Sequence, residues 1–152
     1  MRVPIYEALA HYKRNEMLPY TEYFGLGFFT DISLAESTLA ESKKLVGFSE
    51  LNNDSFSITT HYLNDCAHIG EDINYEIVNN KIYGVWYDYD LDTNYTSSGY
   101  MGLFSTLEYA EKALGWYKTW DIFKVHGIEC LGIATITLNL RGWTECFITI
   151  YD

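Results

Sequence analysis

Met101-Gly-Leu-Phe-Ser-Thr-Leu-Glu-Tyr-Ala-Glu-Lys-Ala-Leu114 has a counterpart 75 positions upstream, Leu26-Gly-Phe-Phe-Thr-Asp-Ile-Ser-Leu-Ala-Glu-Ser-Thr-Leu39. Gly27, Phe29, Ala35, Glu36 and Leu39 recur as Gly102, Phe104, Ala110, Glu111 and Leu114. The same offset carries Phe48 onto Phe123 and Ile58-Thr-Thr-His-Tyr-Leu-Asn64 onto Ile133-Ala-Thr-Ile-Thr-Leu-Asn139. A two-residue slip then aligns Ile5-Tyr-Glu-Ala-Leu-Ala-His-Tyr12 with Ile82-Tyr-Gly-Val-Trp-Tyr-Asp-Tyr89. One supersecondary unit is thus used twice, at about residues 5–64 and 82–139.

Working outward, residues 5–13 alternate as a strand, with Ala8, Ala10 and Tyr12 on one side and Leu9, His11 and Lys13 on the other. Asn15 to Thr21, with Pro19, reads as a connection, and Tyr23 to Phe29 as a short strand bent at Gly25 and Gly27. Thr30 or Asp31 offers an N-cap for a helix over 31–46, whose stripe is Ile32, Ala35, Leu39 and Val46 and whose stop is Gly47. After the loop Asn52 to Ser55, Phe56 to Leu63 forms a third strand, and a polar linker covers 64–72.

The second unit adds a hairpin, Asn74 to Val78, turn Asn79-Asn80-Lys81, then Ile82 to Leu91. Asp92 to Gly99 reads as a long polar loop, followed by the short strand Met101 to Phe104. Ser105-Thr-Leu-Glu108 has capping-box spacing and opens a helix over 106–119 with the stripe Leu107, Ala110, Leu114 and Tyr117. His126 falls in a loop, Cys130 to Leu140 repeats the third strand, and Trp143 to Tyr151 forms a last one. These expectations amount to an α+β fold in a single domain, 1–152. It is a duplicated, ferredoxin-like two-layer sheet with two helices on one face, an extra hairpin and a C-terminal strand at 143–151.

The chain of 152 residues carries a net charge of −11, which disfavours nucleic acid and anionic lipid and favours a basic protein partner. Solubility alone also explains an acidic balance. Cys66, Cys130 and Cys146 have no metal spacing and read as reduced thiols, and the absence of an apolar run points to a cytoplasmic location.

Asp88, Asp90 and Asp92 alternate with Tyr87, Tyr89 and Leu91, so three carboxylates share one strand face. An EF-hand loop would need Gly and Glu where Thr93 and Gly99 stand. The carboxylates fit a solvated face or a partner-binding patch, with Trp86 and Tyr95 as aromatic contributors. Cys66-Ala-His68 lacks a second ligand pair or an activating motif, and His11 and His61 read as structural histidines in strands. No catalytic, cofactor-binding or metal-ligating residue is assigned. Tyr23 to Phe29 lacks the basic residue and spacing of an RNA-recognition motif.

Gly102-Leu-Phe-Ser105, Ala110-Glu-Lys-Ala113, Ile136-Thr-Leu138-Asn139 and Trp143-Thr-Glu-Cys-Phe147 resemble the pattern of a small bacterial domain of uncharacterised function. Cys146 replaces that domain's glycine. The whole chain, short, acidic and rich in aromatics, is similar in kind to immunity proteins of bacterial contact-dependent inhibition and polymorphic toxin systems. That resemblance implies a cytoplasmic, non-catalytic protein that binds a cognate toxin domain, often a nuclease. The acidic and aromatic residues of the hairpin and the loop after it, Trp86, Asp88, Asp90, Asp92 and Tyr95, are the expected contact surface. Alternatives are a small α+β enzyme or ligand-binding protein with an aromatic pocket, and an acidic mimic of nucleic acid.

Overall fold

The structure, a computed structural model, describes residues 1–15, 18–45, 48, 51, 55–92 and 95–142, with side chains except at 12–15, 18–22, 91–92 and 95–96. In chain order these residues form β1 (Pro4–Asn15), β2 (Leu18–Phe29), α1 (Ile32–Ser42), β3 (Phe56–Tyr62), β4 (Lys81–Asp92), β5 (Tyr95–Phe104), α2 (Leu107–Tyr117), α3 (Asp121–His126) and β6 (Leu131–Thr137). The strand expected at 143–151 and the stop at Gly47 lie outside the described residues.

The fold is α+β, but among the described residues its strands pair as two three-stranded sheets, β2-β1-β3 and β5-β4-β6, not as one sheet under both helices. The reason is local. β4 pairs with β5 along one edge and with β6 along the other, and β1 likewise lies between β2 and β3. Each central strand therefore has both rows of backbone groups occupied inside its own sheet.

The two sheets share their irregularities. β1 and β2 shift register between Ala8 and Leu9 and again between Lys13 and Asn15. β4 and β5 shift between Val85 and Trp86 and between Asp90 and Asp92, the same places displaced by the slipped offset. The slip is absorbed at the first hairpin. Asn15 pairs with Leu18 and Lys13 with Thr21, whereas Asp92 pairs with Tyr95 and Asp90 with Thr96.

Two expected connections are strand instead. β2 begins at Leu18 rather than Tyr23, and Pro19 is tolerated because β2 is an edge strand. β5 begins at Tyr95, so most of the expected polar loop Asp92 to Gly99 pairs with β4. Conversely, the arm Asn74 to Val78 is no strand. Only the bridge Val78–Lys81 forms, across a turn in which Asn79 and Asn80 have φ of 56° and 58°.

The first helix takes one of its two expected caps, and the second starts one residue later than its expected cap. Asp31 caps α1 and Thr106 caps α2, the Thr106 hydroxyl accepting from the Tyr109 amide at 3.1 Å, so Ser105 is not the cap. Thr106→Ala should lower stability by about 1 kcal/mol in a denaturant titration; no change would remove the hydroxyl from the account. The buried stripes are Ala35, Thr38, Ser42 and Ala110, Ala113, Tyr117, position for position the same. Ile32 and Leu107, expected in those stripes, are exposed first-turn residues.

The chain divides into two compact units, Met1–Pro4 with His61–Thr137 and Ile5–Thr60 with Leu138–Asp152. In the first, Val85, Phe104, Ala110, Ala113, Tyr117, Phe123 and Leu131 gather into one cluster; in the second, Ala8, Ala10, Leu26, Phe29, Ala35 and Phe48 do so. Each unit contains the end of the other repeat. Asn64 follows β3, yet its amide donates to the Leu103 carbonyl at 2.8 Å and its side chain bonds to Ser105. Asn139 follows β6, yet its amide donates to the Phe28 carbonyl at 2.8 Å and its Oδ1 accepts from the Thr30 amide at 3.0 Å. Both asparagines are left-handed, with φ of 59° and 60°.

Candidate partner-binding site

β4 carries Trp86, Asp88, Asp90 and Asp92, β5 begins with Tyr95, and all five belong to the first compact unit. Trp86 is half-buried and lies across its register partner Gly132: a Cβ on that glycine would meet the indole ring at 2.3–2.5 Å. Only glycine lets the indole lie flat on β6, so Trp86 serves the sheet before it serves any partner. Asp88 and Asp90 are both exposed, in register with Ser98 and Thr96. Asp92 pairs with Tyr95 beyond a register shift between Asp90 and Asp92, and the side chains of Asp92 and Tyr95 lie outside the described residues.

Tyr87 and Tyr89 take the opposite parity and pack toward α3, their rings 6.4 Å and 6.2 Å from that of Phe123. Tyr89 also stacks on His126, with centroids 4.5 Å apart and planes 25° from parallel. Around this stack opens a groove of about 300 Å³ lined by Asp88, Tyr89, Asp90, His126, Glu129 and Cys130. Its lining residues include three carboxylates, one tyrosine and one histidine.

The turn after α3 contributes Glu129 and Cys130 to that lining. Gly127 has φ 92° and ψ 149°, a conformation open to glycine, and a Cβ there would sit 2.5 Å from the Glu129 carboxylate. The bend thus leaves room for Glu129 to fold back. Cys130 is buried and donates its thiol hydrogen to the Gly127 carbonyl at 2.8 Å. Burial pushes its pKa up, and the charges of Glu129 and Asp88 push it further, outweighing a backbone hydrogen bond that acts the other way. The thiolate is the nucleophile, so Cys130 should react with a thiol reagent more slowly than a free cysteine at neutral pH. Mass mapping of the labelled peptide would show it; rapid labelling of Cys130 in the folded protein would contradict the geometry.

No motif in the sequence marks α3 or Glu129, and His126, expected in a loop, ends that helix. The available signal was slight: Asp121 at the start and Lys124 and His126 at the end of Asp121–His126 complement the helix dipole. The other candidates stay apart from the groove's lining. His68 stacks on Trp116 at 3.7 Å, Cys66 is half-buried, and the Tyr117 hydroxyl donates to the Met101 carbonyl at 3.3 Å. Burial, then the neighbouring Cys66, raises the Tyr117 pKa far above the ordinary tyrosine value. Half-buried His11 lies near Tyr23, with ring centroids 6.2 Å apart.

Among the described residues no set of three or more His, Cys, Asp or Glu is arranged to hold a metal ion, and no helix is long and apolar enough to cross a membrane. No family model, curated protein or solved structure matches this chain.

Proposed function

We propose that the chain is a non-catalytic immunity protein that binds and neutralises a cognate toxin domain, a basic nuclease, in the bacterial cytoplasm. The observation that carries this reading is the groove in which Asp88, Asp90 and Glu129 meet the Tyr89–His126 stack. With a net charge of −11 behind it, such a groove would steer a cationic protein inward and offer it aromatic contact. The resemblance in kind to immunity proteins supports the same reading. The duplication bears on the fold alone: each unit carries two strands, a helix and a third strand, with the first strand central, and we read this as a split β-α-β variant of a ferredoxin-like pattern.

A groove of about 300 Å³ also falls at the small end of ligand sites, which keeps a ligand-binding protein as the second reading. Co-expression separates the two. The toxin domain encoded beside this chain's gene should halt growth alone and permit it in the presence of the chain. Growth arrest in both cases would overturn the proposal. Equal protection against unrelated nucleases would instead favour mimicry of nucleic acid.

A further inference from the structure

We infer that the docking surface runs from the acidic groove across the outer face of α3, and that it receives a basic segment in which arginine or lysine alternates with aliphatic residues. This rests on the proposal that the partner is a basic protein and adds where and by what chemistry it binds. α3 is apolar on both sides. Phe123 points into the core at 2% exposure, while Ile122 and Val125, three residues apart and therefore on one helical face, are 40% and 80% exposed. Ile128, in the turn that follows, is 57% exposed. A surface helix ordinarily buries its one apolar stripe and leaves polar groups outside; three neighbouring exposed aliphatics beside a charged groove mark a contact surface.

The order along the chain sets the partner's pattern. Val125 and Ile128 are exposed, while His126 and Glu129 line the groove, so an exposed aliphatic stands directly beside each of these groove-lining residues. Glu129 and Asp88 both line the groove. A guanidinium or ammonium group between them would gain charge-assisted hydrogen bonds. Aliphatic groups on either side of that cation would cover Val125 and Ile128 and exclude water from the ion pairs. A purely cationic segment would leave those aliphatics wet, and a purely apolar one would leave the carboxylates unmatched.

The test is a binding titration of the purified chain with a synthetic peptide alternating arginine and leucine, read by backbone amide shifts. A peptide alternating arginine and serine serves as the control. Shifts should concentrate at residues 88–90 and 122–130, and the serine peptide should bind at least about threefold more weakly. Asp88→Asn with Glu129→Gln should weaken the leucine peptide by about tenfold or more, and Val125→Ser with Ile128→Ser by about threefold, with unchanged far-ultraviolet circular dichroism. Shifts elsewhere, no binding, or equal affinity for the two peptides would overturn the inference without any variant being made. The adjoining toxin domain separates the two proposals. If it is neutralised equally well by the fourfold variant, this surface is wrong and the immunity reading stands. If the leucine peptide seats as described but no toxin is neutralised, the surface stands and the immunity reading falls.

Discussion

Asn64→Ala is expected to lower the unfolding free energy by about 3–4 kcal/mol and the melting midpoint by about 10 °C. Asn64 is 5% exposed, and its Oδ1 accepts the Ser105 amide at 2.9 Å. Its Nδ2 donates to the Ser105 hydroxyl at 2.9 Å and to the Asn74 carbonyl at 3.2 Å. Alanine would strand the buried Ser105 amide and would itself have to hold φ 59° without a side-chain bond. Asn139→Ala should cost only about 1–2 kcal/mol, because its partner Thr30 is exposed and water can replace the lost bonds. Asn64→Gly should recover about 1 kcal/mol of the loss by relieving the backbone alone. Calorimetry on the three variants gives the comparison; equal losses at positions 64 and 139 would contradict the role given to burial.

Gly27→Ala is expected to cost about 3–5 kcal/mol, against about 1–3 kcal/mol for Gly102→Ala. In both repeats the phenylalanine two residues later folds its ring over the glycine. A Cβ would meet Phe29 Cζ at 2.8 Å in one and Phe104 Cζ at 2.8 Å in the other. Gly27 carries two further constraints: its φ is 136°, and a Cβ would lie 2.7 Å from the Leu140 backbone carbonyl, which cannot swing aside. Chemical denaturation of the pair should reproduce this order. A reversed order would mean that the Leu140 segment yields easily.

These two pairs show what the sequence made legible. The recurrence of Gly-x-Phe and of the terminal Leu-Asn announced a repeated unit, and both recur for a physical reason, ring-over-glycine packing and a left-handed capping asparagine. What it did not reveal was the partner of each asparagine. Asn64 bonds Ser105 across 41 residues and Asn139 bonds Thr30 across 109, and no local pattern encodes pairings of that separation. Ser105 looked like a helix cap for the same reason: its true partner is remote.

The strand ends misled in another way. Pro19 and the polar run before Gly99 are loop-like by composition, yet a twelve-residue central strand offers enough backbone partners to hold either of them. At the candidate site, Asp88 and Asp90 were legible from strand alternation alone. The contact of Trp86 with Gly132 was not legible, because it depends on strand order. His126 is not legible because a six-residue helix carries too little periodicity, and Glu129 because it lies in the short turn after that helix.

The most direct test of the proposed function is a titration of nuclease activity. The purified toxin domain from the adjoining gene is held at fixed concentration, and the purified chain is added against a nucleic-acid substrate. Activity should fall in proportion to the chain added and vanish at about one chain per toxin, as tight stoichiometric binding requires. Full activity at a tenfold excess of the chain would contradict the account.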